Sequence, residues 1–489
     1  MGKLKYLSKN IALFSISNFV SKILVFLLVP FYTNVLTTYE YGIADIIQVT
    51  LLLLVPAVTM NIGEAALRFG VEEEKNRSKI FSVGTKYVIR ASVIVAFVCF
   101  AARGVVSFLP MIQSSRVEEI KWYLLLFAFL FAANALYEFL ILYFQGCELV
   151  ETVVIGSITC TAATILFNLF FLLSLKIGLN GYVYSQILAF GLAAFVMISY
   201  GKKRVDNSCL SNTEDETARD SKSTDNLEER MLKYSKPMIA YSTASWVNNA
   251  VDRYFVLYMC GAAVNGVYGV AYKIPAILMV FQRIFAQAWQ MSATKAHKDS
   301  DSDEFFSDMY KVYNSFMVLG CASLVLIVKP VAAFLFRKEF YEAWRFVPPL
   351  LISVIFGALT GFLGSICLAH KDSKSMGYAT GIGAFVNVVL NLLLIPYYQA
   401  MGAAVATGIS YFTMCMMALF FVKTHVKLDI AFLRNTISYA LLIAESIIMI
   451  KELPYHYVIS AFIFIALILL YVKDFIEIIR VLIDKLKAR

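Results

Sequence analysis

Lys22, Lys86, Arg90, Arg253, Lys273 and Arg283 interrupt stretches of sequence that are otherwise almost wholly apolar, and Arg68 closes another such stretch. If those stretches cross a bilayer, each ionisable side chain near mid-depth costs about 2.5–3.5 kcal/mol on insertion scales. Such a group has to meet an opposite charge, a polar wall or water. Lys22 lies roughly 18 Å into its stretch at helical rise, too deep to snorkel easily. It needs either a neighbouring carboxylate or an anionic ligand. Arg68 follows Glu64 by four residues, a favourable helical pair, so structural pairing competes there with ligand contact. Lys86 and Arg90 have the same spacing but like charges, which repel, and an anion held between them would relieve this. Asp252 and Arg253 follow Trp246, Asn248 and Asn249. Adjacent helical residues point about 100° apart, so the two need not pair with each other. The amides and Asp252 give this helix one polar face. Lys273 and Arg283, with Gln282, Gln287 and Gln290 beyond, either snorkel towards opposite surfaces or contact a ligand.

The acidic residues within apolar stretches are fewer: Asp45, Glu64, Glu138, Asp252 and Glu445. A cavity lined by a surplus of cations and walled by low dielectric attracts an anion. Phosphate or pyrophosphate fits best, because Arg binds either in bidentate fashion. This is a binding set and not a catalytic one. The histidines, His297, His370, His425 and His456, are scattered, and no nucleophile has a base at useful spacing. The eight cysteines stand singly with no C-x-x-C, so no disulfide framework, metal site or cofactor is expected.

The elements that must carry these residues are legible in the hydropathy. The 489 residues are 60% hydrophobic and only 16% charged, with a mean hydropathy of +0.71. A stretch of about 20 apolar residues crosses a bilayer as a helix. About fourteen such stretches follow one another: 10–36, 41–67, 79–107, 121–145, 151–175, 179–200, 236–260, 264–289, 311–336, 346–369, 376–397, 401–422, 432–450 and 454–473. The first is too long for a signal peptide and contains Lys22 and Pro30, so it reads as the first span. The expected fold is therefore all-α, a polytopic membrane protein of about fourteen transmembrane helices. The net charge of +9 does not imply nucleic acid. With alternating spans, about 28 of the 43 Lys and Arg fall in segments on one side. The positive-inside pattern makes that side the cytoplasm, with both termini there.

Residues 202–230 are polar and rich in Ser, Thr, Asp and Asn, a composition that cannot bury enough apolar surface to fold alone. They divide two halves that resemble each other. Tyr41-Gly42 and Phe167-Asn168 recur as Tyr268-Gly269 and Leu390-Asn391, roughly 220–230 residues later. Six spans per half would make the repeats parallel, forming two lobes around a central cavity that rock to open it alternately. The expected divisions are 1–200, an N-terminal six-helix lobe; 201–230, a cytoplasmic linker; 231–425, a second six-helix lobe; 426–473, two additional helices; and 474–489, an amphipathic cytoplasmic tail. The tail repeats apolar residues at 475, 478, 479, 482, 483 and 486 and should lie on the inner membrane surface.

Ser21-Lys22, then Pro30-Phe31-Tyr32-Thr33-Asn34-Val35-Leu36 and Tyr39-Glu40-Tyr41-Gly42, resemble the opening of polysaccharide-type lipid-linked oligosaccharide flippases. Asp252-Arg253, Tyr268-Gly269 and Tyr272-Lys273 look like its counterpart in the second half. This family belongs to the superfamily of multidrug, oligosaccharidyl-lipid and polysaccharide exporters. The resemblance implies transfer of an undecaprenyl-pyrophosphate oligosaccharide to the outer leaflet of the cell membrane by alternating access, in surface-polysaccharide synthesis such as that of O-antigen or capsule. It implies a polyprenyl-pyrophosphate glycan and membrane lipids as partners, with H⁺ or Na⁺ coupling and glycan-polymerising partners as further expectations. Lys22, Arg90, Arg253 and Lys273 would lead in holding the pyrophosphate, with Lys86, Arg68, Arg283 and Asp252 beside them.

Three other readings compete. An ion-coupled drug exporter of the same fold would favour carboxylates over the basic bias seen here. A major-facilitator carrier would need an Asp-Arg-x-Gly-Arg-Arg loop where this chain has Phe69-Gly70-Val71-Glu72-Glu73-Glu74. A membrane-embedded polymerase or ligase would need catalytic outer loops, and 108–120 and 337–345 have no acid–base cluster.

Overall fold

The computed structural model describes residues 26–106, 114–209, 220–296, 302–370 and 372–487. Every regular element among them is helical. In chain order they are α1 (Val29–Val35), α2 (Thr38–Val58), α3 (Ile62–Glu72), α4 (Arg77–Val106), α5 (Ser114–Gly146), α6 (Val150–Asn168), α7 (Gly178–Cys209) and α8 (Asp220–Cys260). There follow α9 (Ala262–Ala271), α10 (Pro275–Ala296), α11 (Ser302–Leu326), α12 (Val328–Leu335), α13 (Val347–Ala369), α14 (Ser373–Val422), α15 (Phe432–Ile450) and α16 (His456–Lys487). Among the described residues nine helices are long and apolar enough to cross a membrane, and the bent pair α9–α10 makes a tenth.

Several expected spans are broken. The stretch 41–67 is divided at Met60 and Asn61, both at positive φ, so α3 starts in a new direction after α2. The stretch 264–289 bends by 47° between α9 and α10, where Pro275 offers no backbone N–H to continue the helix. The stretch 311–336 is interrupted between α11 and α12. Expected spans 376–397 and 401–422 lie within α14, which turns at Gln399 with φ 51 and ψ −137. Breaks of this kind are tolerated at membrane depth where other helices or polar groups take up the freed backbone.

The polar segment 202–230 is helical at both ends: α7 runs on to Cys209 and α8 starts at Asp220, while 210–219 lie outside the described residues. The tail after 473 continues α16 as one helix with the preceding apolar stretch.

The chain forms two compact units. One comprises Met1–Leu36 and Ile43–Trp246, the other Thr37–Gly42 and Val247–Arg489. The first unit is cored by α3, α4 and α5. Ile62, Ala65, Ala66, Leu130, Phe131 and Leu140 are fully buried there. Phe139, Tyr143 and Phe144 pack in the same core, and the Tyr143 hydroxyl donates to the Arg77 carbonyl at 3.1 Å. The second unit is held by an aromatic stack. Trp289 on α10 lies 4.2 Å from Phe362 on α13, Phe285 lies 4.0 Å from Tyr313 on α11, and the Trp289 indole donates to the Phe362 carbonyl. Offset stacks of this type add about 0.5–1.5 kcal/mol per pair beyond burial.

Candidate functional site

In the second unit the polar centre is Asp252 on α8, 2% exposed. Its Oδ2 accepts from the hydroxyls of Tyr268 at 2.6 Å and Tyr272 at 2.5 Å, and from Thr407 at 3.2 Å. Its Oδ1 accepts the backbone N–H of Arg253 at 2.9 Å. These donors take the place of the water that burial removes from the side chain. The donors come from α8, α9, α14 and the turn after α9, so the α9–α10 break brings Tyr272 to the acid. The Arg253 guanidinium carbon stands 4.4 Å from the Tyr272 ring centroid, a cation–π distance. Lys273 follows Tyr272 directly, within that break. The amides expected on the same helix are also engaged: Tyr411 donates to Asn249 at 2.7 Å, and Asn248 donates to the Thr380 carbonyl at 3.2 Å.

In the first unit Lys86 and Arg90 lie on the exposed side of α4. Their mutual repulsion is relieved from within the chain. The Lys86 ammonium stands 2.7 Å from Glu228 on α8, and the Tyr87 hydroxyl donates to the same carboxylate at 2.9 Å. The Arg90 guanidinium carbon lies 5.5 Å from the Tyr87 ring centroid. The Lys86 ammonium, helped by Tyr87 and Arg90, holds the Glu228 carboxyl below the usual range against the opposing effect of burial.

Nearby, Arg68 departs from expectation. It pairs with Glu72 at 3.0 Å and not with Glu64, and its guanidinium carbon lies 4.5 Å from the Tyr234 ring centroid. Glu72, on the last turn of α3, extends away from the apolar interior with Arg68, whereas Glu64 sits where the helix enters the core. Arg230 bridges to Glu73 and covers Phe69.

The structure thus brings Asp252, Arg253 and Tyr272 together, with Lys273 adjoining, and separately gathers Lys86, Tyr87, Arg90 and Glu228. Arg68 belongs to a third, exposed group. Arg283 lies on an exposed face of α10 beside Phe281 and Ile284, ten residues beyond Lys273. Lys22 lies outside the described residues. Sequence reasoning missed Tyr268, Tyr272 and Thr407 as donors and Glu228 as an acceptor. The two tyrosines share one helical face four residues apart, but nothing local points Thr407 or Glu228 at these groups.

Comparison with known proteins fits this architecture. Residues 7–291 match the family described as polysaccharide biosynthesis protein. An uncharacterized membrane protein of Methanocaldococcus jannaschii is 25% identical over 265 residues, 53% of this chain. The chain spans 62% of that relative's length. Among solved structures, the lipid II flippase MurJ in an inward closed conformation superposes with a TM-score of 0.65 at 17% identity, covering 96% of this chain and 100% of that one. An inward-facing multidrug resistance MATE transporter of the MOP superfamily gives 0.63 at 11% identity, covering 83% of this chain and 95% of that one. The chain is a multi-pass membrane protein of the polysaccharide biosynthesis protein family, with the fold shared by the MurJ and MATE transporters.

Proposed function

We propose that this protein is a flippase that carries a polyprenyl-pyrophosphate oligosaccharide from the cytoplasmic to the outer leaflet of the cell membrane by alternating access, with both termini cytoplasmic. One observation carries the reading. The fold likeness to the lipid II flippase extends over 96% of the chain, whereas the likeness to the multidrug transporter extends over 83%. Family membership supports a polysaccharide cargo. The chemistry supports the anionic part of that cargo. Arg253 and Lys273 in one unit, and separately Lys86 and Arg90 in the other, are cations of the kind that bind a pyrophosphate, Arg in bidentate fashion and Lys as a point charge. Lys22 joins this set on the resemblance of Ser21-Lys22. Asp252, with its hydroxyl donors, is the group through which H⁺ or Na⁺ would be coupled to the cycle.

Cargo export in cells tests the charge requirement. Arg253→Gln is expected to lower export of surface polysaccharide about tenfold or more at wild-type protein levels, the loss of one charged hydrogen-bonding partner. Arg253→Lys should recover only part of it, because an ammonium lacks the bidentate fork. Full export by Arg253→Gln would remove Arg253 from the cargo site.

A further inference from the structure

Two cations one helical turn apart on a membrane helix are an unfavourable arrangement unless an anion stays close. Here the anion is Glu228, 142 residues away in sequence. It accepts from the Lys86 ammonium at 2.7 Å and from the Tyr87 hydroxyl at 2.9 Å, with Arg90 as a second positive charge beside it. The Glu228 side chain is 18% exposed and that of Lys86 is 43% exposed, so the carboxylate is largely covered while the ammonium remains open on one side. Glu228 lies on α8, the helix that rises from the polar segment and continues to Asp252 and Arg253. Beyond Arg90 the exposed face of α4 is apolar, with Val93, Ile94, Phe97 and Phe100 uncovered. A cationic group at the foot of an apolar stripe matches a ligand that has a phosphate head and a lipid tail.

We propose that Glu228 is an internal stand-in for the cargo's phosphate: it occupies the Lys86–Tyr87–Arg90 anion site in the absence of ligand, and the incoming diphosphate displaces it. This rests on the reading of the protein as a carrier of pyrophosphate-linked lipids. A diphosphate carries more charge than one carboxylate and offers more acceptor oxygens, so it gains more from the Lys–Arg pair. Displacing Glu228 also breaks this ion pair between α4 and α8, while the Arg230–Glu73 bridge still ties α8 to the end of α3. A site held by an internal competitor binds its ligand with an affinity reduced to the fraction of time the site is open.

The test titrates inorganic pyrophosphate into the purified full-length protein in lipid nanodiscs, with calorimetry for the Kd and thermal unfolding for fold integrity. Glu228→Gln is expected to tighten pyrophosphate binding about tenfold relative to wild type. Adding Lys86→Gln to Glu228→Gln should abolish that gain. The charge-swapped pair Lys86→Glu with Glu228→Lys should restore thermal stability without restoring the gain, which separates an anion site from a mere clasp. A folded Glu228→Gln that binds pyrophosphate no more tightly than wild type overturns the proposal, as does absence of binding to either. The two readings fail differently. Equal binding by wild type and Glu228→Gln, lost in Arg253→Gln, would sink the stand-in and leave the flippase intact. A tenfold gain with no transfer of lipid-linked glycan would do the reverse.

Discussion

Glu445 on α15 is fully buried, and neither of its carboxylate oxygens has a hydrogen-bond partner among the described residues. Leaving buried polar atoms unsatisfied costs about 1–3 kcal/mol, more when the group is charged. Glu445→Met keeps the volume and removes the polar atoms, so it should raise stability by about 1–3 kcal/mol in thermal unfolding. A fall in stability would show that the carboxyl has a partner the chain does not supply. Asp372 is the opposite case. It caps α14 by accepting from the Ser375 backbone and hydroxyl, and its Oδ2 lies 3.0 Å from His425 Nε2. The Ser375 hydroxyl first, then His425, pulls its carboxyl down to about 2. A depressed folded value means the stabilisation is present above the ordinary Asp range of about 3.9 and is lost as pH falls towards about 2. Asp372→Asn should therefore flatten the fall in thermal midpoint across that acid window, and an unchanged acid profile would refute the capping role. Sequence showed the cations at this scale but not their partners. Arg68 had two acids within reach, and only the path of α3 decides for Glu72. Lys86 meets an acid that no local spacing connects to it.

At the scale of elements, close backbone approach is what hydropathy cannot register. In the second unit the start of α2 lies against α9. A Cβ built on Gly266 would stand 2.0 Å from the Thr38 carbonyl oxygen, and one on Gly42 would stand 1.9 Å from that of Ala262. Asn265 fastens the contact by donating to the Gly42 carbonyl at 3.1 Å. The obstructing atoms are backbone, so neither neighbour can rotate away. Gly266→Ala should cost about 1–3 kcal/mol as overpacking. Gly377→Ala on α14, where nothing lies within 4 Å, should cost nothing. Thermal unfolding of the two variants distinguishes them, and equal midpoints would mean the contact is not maintained in the membrane. The Tyr-Gly pair occurs in both halves of the sequence, yet Gly42 meets Ala262 and Gly266 and not Gly269. The long apolar stretches were legible because bilayer thickness sets their length. Their breaks at Met60–Asn61 and at Tyr272–Ile274 were not, because tertiary packing compensates what local propensity opposes.

In the molecule as a whole three things coincide: the fold shared with the MurJ and MATE structures, membership of the polysaccharide biosynthesis protein family, and cations on helices α4 and α8. The polar segment 202–230 shows how composition and context divide the work. Its composition argues against independent folding, and its described ends fold only as extensions of α7 and α8. Glu228 lies in one of those extensions. Movement of a pyrophosphate-linked glycolipid between leaflets is the proposed activity, and transbilayer transfer in proteoliposomes reports it without intermediate steps. Vesicles would carry fluorescent polyprenyl-pyrophosphate oligosaccharide, with the outer-leaflet fraction read by an impermeant quencher under an imposed H⁺ or Na⁺ gradient or a membrane potential. Transfer is expected to run well above that in protein-free vesicles and to drop about tenfold or more in Arg253→Gln. Transfer no faster than in protein-free vesicles under every gradient, by protein shown to be folded and inserted, would contradict the proposed activity.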